Sequence, residues 1–199
     1  ASSTQAADVA FANLEGPIAG SGQNVGSIYS FRADPRAVQG LTYAGFDVLS
    51  IANNHIWDYG PDAFRETIRI LEENGISPSG GGLNYDQAHL PVIREVRGTT
   101  IAYLAYTTFA PASRTGTDAQ PATAFPDIAA MSSDIQLAKL QSDIVVVSFH
   151  WGDEYLTTHR ADQQSLAYAA IDAGANLVIG HHPHVVGDSE YHQGAFIAY

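Results

Sequence analysis

Four short apolar runs in this chain are built alike: each starts at Asp or Asn, continues through residues suited to a buried strand, and stops at a polar cluster. Asp8 leads to Asn13-Leu14-Glu15-Gly16, Asp47 to Asn53-Asn54-His55, Asp143 to His150-Trp151-Gly152, and Asn176 to Gly180-His181-His182-Pro183-His184. Amphipathic stretches alternate with these runs, the pattern of helices covering a mostly parallel sheet. Ligands of open α/β sheets bind outside the carboxyl ends of the strands. If the four strands are parallel neighbours, their clusters converge in one crevice.

The coarse pattern predicts strands over Asp8–Ala12, Phe46–Ala52, Asp143–Phe149 and Asn176–Ile179, and helices over Pro35–Ala44, Pro61–Asn74, Asp134–Gln141 and Asp162–Ala173. In the second helix Phe64, Ile68 and Leu71 recur at i, i+4 and i+7, with Gly75 as the stop. Leu90–Val96 and Thr99–Tyr106 flank Arg97-Gly98 as an antiparallel hairpin, which makes the sheet mixed. Thr107–Met131 has no convincing period and reads as a functional loop or lid. No linker interrupts the pattern, so residues 1–199 are expected to form one domain. Because Ala1 is not a start residue and 195–199 resembles an unfinished strand, the chain reads as a fragment truncated at both ends.

Charge narrows the choice of function. Nine Lys and Arg stand against 21 Asp and Glu, a formal net charge of −12, and there is no Cys. Disulfide scaffolds and thiolate metal sites are excluded, and a broad basic face for nucleic acid is not expected. The longest apolar runs, such as 144–149, fall far short of the roughly 20 residues that span a bilayer. A polyanionic substrate would need local cations.

Imidazole, carboxylate and carboxamide oxygen together suit divalent Mn, Fe or Zn. Five of the eight His fall in three of the clusters, and His182 and His184 have the spacing that puts two rings on one side of an extended chain. Each residue also has an ordinary reading: His150 as a satisfied polar group, Asn53-Asn54 as a turn, Glu15 as a solvated loop acid, Trp151 and Tyr155 as core aromatics. Three His directly after a buried strand favour a formed site over a loose surface patch. His89, His159 and His192 are read as structural.

The motifs Asn13-Leu14-Glu15-Gly16-Pro17, Asn53-Asn54-His55 with Asp58-Tyr59-Gly60, His150-Trp151-Gly152 with Glu154-Tyr155, and Gly180-His181-His182-Pro183-His184 together resemble the CapA family. That family of bacterial proteins is associated with synthesis or export of poly-gamma-glutamate capsule, and its fold is similar to calcineurin-like metallophosphatases. The resemblance implies an α/β layered fold with a mixed, mostly parallel sheet core flanked by helices.

It further implies one or two divalent ions held by Glu15, Asn54, His150, His182 and His184, with His55 serving the leaving group and Asp58 orienting it. Asn13, Asn53, Trp151, Glu154 and His181 are second-line candidates near substrate or ligands. Glu15 departs from the Asp that usually bridges two metals, and the family's first Gly-Asp strand and later Gly-Asn-Phe segment are not present in this sequence. Two functions follow as expectations. One is a metal-dependent hydrolase-like domain acting on a phosphoester or an anionic glutamyl polymer. The other is a noncatalytic component that binds polyglutamate or other capsule-assembly proteins. Either is expected at the cell envelope or the extracellular face.

Overall fold

A computed structural model describes residues 2–109 and 120–199. Its strands are β1 (Phe11–Asn13), β2 (Val48–Ser50), β3 (Ser77–Ser79), β4 (Gly81–Gly82), β5 (Val92–Val96) and β6 (Thr99–Thr107), followed by β7 (Ala122–Thr123), β8 (Ile144–His150), β9 (Leu177–His181), β10 (Ser189–His192) and β11 (Ala195–Ala198). The helices are α1 (Ser2–Ala6), α2 (Val38–Ala44, led in by a 3-10 turn at Pro35–Ala37), α3 (Gly60–Glu73), α4 (Tyr85–His89), α5 (Ile128–Lys139) and α6 (Ala161–Ala173).

The strands form two main sheets. A small sheet runs β1-β2-β3, all parallel. The large one runs β10-β11-β9-β8-β6-β5, with parallel pairing from β11 to β6 and an antiparallel strand at each edge. A short antiparallel pair, β4 with β7, forms a third, separate ladder.

Side-chain alternation stacks these sheets face to face. From β6 and β8, Ala102, Leu104, Val145 and Val147 point to one side and join Met131, Ile135, Ala167 and Ala170 of α5 and α6 in the largest core. Their alternates Tyr103 and Val146 point the other way and meet Val48 of β2 and Phe11 of β1. Phe11 and Tyr103 stack with ring centroids 5.6 Å apart. Beyond the small sheet, Leu49 packs with Phe64, Ile68 and Leu71 of α3 and Val38 of α2. The layers are therefore helices, small sheet, large sheet, helices, an α/β fold with a mixed, mostly parallel sheet at its centre.

The four cluster-bearing strands are not neighbours in one sheet. β1 and β2 belong to the small sheet and β8 and β9 to the large one, because each strand has two apolar faces and the second face of each sheet buries against the other sheet. The clusters meet across the gap between two sheets, at the carboxyl ends of both.

Smaller differences have local causes. The third predicted helix starts six residues early because Asp127 Oδ1 accepts from the Ala129 and Ala130 amides and caps α5 at Ile128. That start, with β7, shortens the loop expected over 107–131. Residues 110–119 of the proposed lid lie outside the described residues. β3 was not anticipated, because Ser77-Pro78-Ser79 carries no strand signal; Pro78 is tolerated because β3 is an edge. No helix among the described residues is long and apolar enough to cross a membrane.

Candidate metal centre

Asn53 ties the ends of β1 and β2 together. It is fully buried, and its Nδ2 donates to Leu14 O at 2.7 Å and to Asn13 Oδ1 at 3.2 Å. Its Oδ1 accepts from the His55 amide at 3.1 Å. Asn13 in turn donates from Nδ2 to Glu15 Oε2 at 2.9 Å, which fixes the carboxylate and leaves Oε1 buried without a hydrogen-bond partner. Burial raises the Glu15 pKa, opposed by the neighbouring His184 and His55 and by the Asn13 bond, and reinforced by Glu154.

The large sheet meets these groups through His150, the last residue of β8. His150 Nε2 is 2.7 Å from Asn54 Oδ1 and 3.6 Å from Glu15 Oε1. Burial, and then His182, His181, His55 and His184, lower its pKa to about 2. The imidazole is neutral, so its approach to Glu15 is no ion pair. A neutral ring beside an amide oxygen and a carboxylate is the state required for ligation. His150 Nδ1 is also buried without a partner.

After β9 the chain bends sharply. His182 has φ +100 and His184 φ +57, both in the left-handed region that costs a side-chain-bearing residue about 1 kcal/mol or more. The two rings thus reach one side by a strained turn, not by the extended spacing inferred from the sequence. Just before the bend, Gly180 of β9 packs so closely that an added Cβ would sit 2.6 Å from Trp151 Nε1 and 2.6 Å from the Tyr199 carbonyl carbon. One donor atom each from Glu15, His182 and His184 lie within 4.8 Å of one another, and His184 Nε2 is 4.0 Å from Glu15 Oε1. His182 Nδ1 is buried and unpartnered, and burial lowers its pKa. His181 also has an unpartnered buried Nε2, and burial lowers its pKa to about 4.

Borderline N and O donors, several of them buried and without partners, fit a divalent cation. Such atoms carry a desolvation cost that a bound ion would remove. Glu15, His182 and His184 form the tightest group, with His150 and Asn54 adjoining.

His55 sits beside this group. Its Nδ1 is 2.9 Å from Asp58 Oδ2, and the same carboxylate oxygen accepts from the Phe31 amide at 2.8 Å. Phe31 packs edge-on against the imidazole, centroids 4.5 Å apart. With Nδ1 held by the nearly buried Asp58, Nε2 is the nitrogen left for chemistry. His55 lines an open pocket of about 860 Å³ with Glu15, Glu154, Tyr155 and His184. A second cleft runs past Asn13, Glu15, His181 and His182.

Trp151, a second-line candidate near substrate or ligands, takes instead its ordinary reading as a core aromatic. It is fully buried and stacks on Phe149 and Tyr199 at 4.4 and 5.8 Å, in the main core. His89, His159 and His192 each pair with an aspartate, Asp134, Asp188 and Asp172 respectively. The sequence reading missed Phe31 and Phe109. Phe109 lies against His182 and His150, at 4.4 and 5.9 Å. Neither residue carries a chemical signal of its own, and only their packing on imidazoles marks them.

The sequence model of the family described as "Bacterial capsule synthesis protein PGA_cap" matches residues 1–199. The chain is 33% identical over 176 residues to the capsule biosynthesis protein CapA of Bacillus anthracis, covering 84% of this chain and 42% of that protein. It is 33% identical over 169 residues to the PGA biosynthesis protein CapA of Bacillus subtilis, covering 84% and 44%. The chain thus spans less than half the length of these curated relatives. The fold is similar to that of a 5'-nucleotidase precursor from Thermus thermophilus, with a TM-score of 0.52 at 15% identity over 79% of this chain and 31% of that one.

Proposed function

This chain belongs to the bacterial capsule synthesis protein PGA_cap family, and from that premise we propose that it is a metal-dependent hydrolase domain of capsule assembly. The observation that carries the reading is the meeting of Glu15, His182 and His184 donor atoms within 4.8 Å, beside an imidazole already oriented by a carboxylate. Glu15, Asn54, His150, His182 and His184 would hold one or two ions of Mn, Fe or Zn. Such an ion supplies Lewis acidity and the positive charge that a −12 chain otherwise lacks at this point.

The chain's own residues do the rest. Asp58 accepts from His55 Nδ1–H and fixes the ring, so that protonated Nε2 can deliver a proton to a leaving oxygen. Asn53 and Asn13 hold the His55 and Glu15 segments in register. The reaction that suits these groups best is cleavage of a phosphoester, with a glutamyl carboxyl or amide as the other substrate in reach. The names of the relatives, a capsule biosynthesis protein and a PGA biosynthesis protein, support a role in capsule synthesis; to this we add a polyglutamate or partner-protein contact at the cell envelope.

The test is metal content by elemental analysis, followed by turnover of phosphodiesters and γ-glutamyl peptides by wild type and His55→Asn. Turnover lost in His55→Asn with metal retained supports catalysis. Metal bound without turnover in wild type favours the noncatalytic polymer-binding role. Absence of any bound metal contradicts the reading.

A further inference from the structure

The pocket next to the donor cluster is walled by Tyr29, Phe31 and Tyr155. Tyr29 and Tyr155 are 71% and 69% exposed, and with the half-exposed Phe31 they gather three aromatic rings on one pocket wall. Two of the three rings are tied into the site. The Phe31 amide donates to Asp58, and its ring rests on His55. Tyr155 is held at φ +64, with its amide donating to Pro183 O at 2.7 Å and its ring 6.3 Å from that of His184. The positive-φ backbone of Tyr155 thus sets an exposed ring beside a candidate donor histidine.

Charge points the same way. No Lys or Arg is among the described residues lining this pocket or the neighbouring cleft, and the pocket's acidic side chains are Glu15 and Glu154. Arg32, next to Phe31 in sequence, lies over the Tyr59 ring and donates to Ser21 O. Arg160 is held between Asp153 and Asp162. A chain of carboxylates would enter this pocket with no side-chain cation to meet it beyond the first charge.

We propose that this pocket is a specificity subsite for a planar, uncharged ring attached to the oxyanionic group that the donor cluster binds, so that the substrate is an aryl-type ester and not the interior of a polycarboxylate. This rests on the hydrolase reading above and adds the substrate class to it. The ring enters between Phe31 and Tyr155 with Tyr29 at the rim, while the oxyanion lies toward Glu15 and His184.

Binding to the Mn-loaded chain tests this without relying on turnover. Isothermal titration with phenylphosphonate and methylphosphonate should give roughly tenfold tighter binding of the phenyl compound, the worth of about one good ring contact. Tyr29→Ala and Tyr155→Ala, both exposed, should cut that preference to about twofold or less at unchanged metal content and melting temperature, and Tyr155→Phe should restore it. Equal affinity for the two phosphonates, a preference untouched by the alanine variants, or tighter binding of a γ-glutamate oligomer overturns the subsite while leaving the ion site standing. A chain that takes up no Mn, or binds neither phosphonate when loaded, overturns both readings.

Discussion

His150 Nε2 lies 2.7 Å from Asn54 Oδ1 although His150 ends β8 of the large sheet and Asn54 lies in the loop that follows β2 of the small one. The cluster therefore stands at the seam between the two halves of the fold. An ion held there would link the halves as well as serve chemistry, and site occupancy and stability should be coupled.

Thermal or urea unfolding with and without Mn should reveal that coupling. An ion present at about 100 times its dissociation constant stabilises the folded state by about 2.7 kcal/mol. Chelation should remove this increment, and His150→Ala should fold yet show almost none of it. A full increment in His150→Ala would remove His150 from the ligand set.

Asn53 should matter more for stability than an average polar residue. Its three hydrogen bonds join β1, β2 and the His55 amide inside a fully buried pocket. Asn53→Ala leaves the Leu14 carbonyl and the His55 amide without those partners, at about 1–3 kcal/mol for each buried group stranded. Urea denaturation at fixed pH gives the loss directly, and a change below about 0.5 kcal/mol would mean that water or a shifted loop replaces the amide.

The strained turn predicts a separation of folding from binding. His184 sits at φ +57, so His184→Gly relieves backbone strain of about 1 kcal/mol while adding unfolded-state freedom of similar size. Folding stability should change little, whereas Mn affinity falls at least tenfold. His184→Ala keeps the strain without adding unfolded-state freedom, so it should lose Mn affinity as His184→Gly does and match it within about 0.5 kcal/mol in chemical denaturation.

Acid should loosen the metal-free chain before its carboxylates titrate. The His181 pKa is lowered from 6.5 to about 4 by burial, so below pH 6.5 the unfolded chain binds a proton that the folded chain refuses. Its contribution is complete above 6.5 and is lost as pH falls toward 4, by up to about 3 kcal/mol. Glu15 acts in the opposite sense, because its raised value favours the folded state as it takes up a proton. Melting temperatures from pH 7 to 4 should fall, and less steeply in His181→Gln. An equal slope in the variant would assign the acid sensitivity elsewhere.

Much of the helix and strand pattern was legible because its signals are local. Phe64, Ile68 and Leu71 do lie on the buried face of α3, and the antiparallel pairing of β5 with β6 about Arg97-Gly98 follows from the turn and the alternation. The gathering of Glu15, Asn54, His150, His182 and His184 at one place was inferable from where their strands end. The division into two sheets was not, since a strand with two apolar faces reads the same whether it packs on helices or on another sheet. Nor was the geometry of His182 and His184, because a positive φ is uncommon at a residue with a side chain and has no local sequence signal here. Phe31 and Phe109 were invisible for a simpler reason: an aromatic residue in a loop announces nothing until its neighbour is known.

The most direct test is a crystal of the chain soaked in Mn²⁺ and measured for anomalous scattering at the manganese edge. The account predicts an anomalous peak within bonding distance of Glu15 Oε1 and of the His182 and His184 imidazoles, with His150 and Asn54 next to it. A peak elsewhere, or none at an Mn concentration that stabilises the protein, would contradict it.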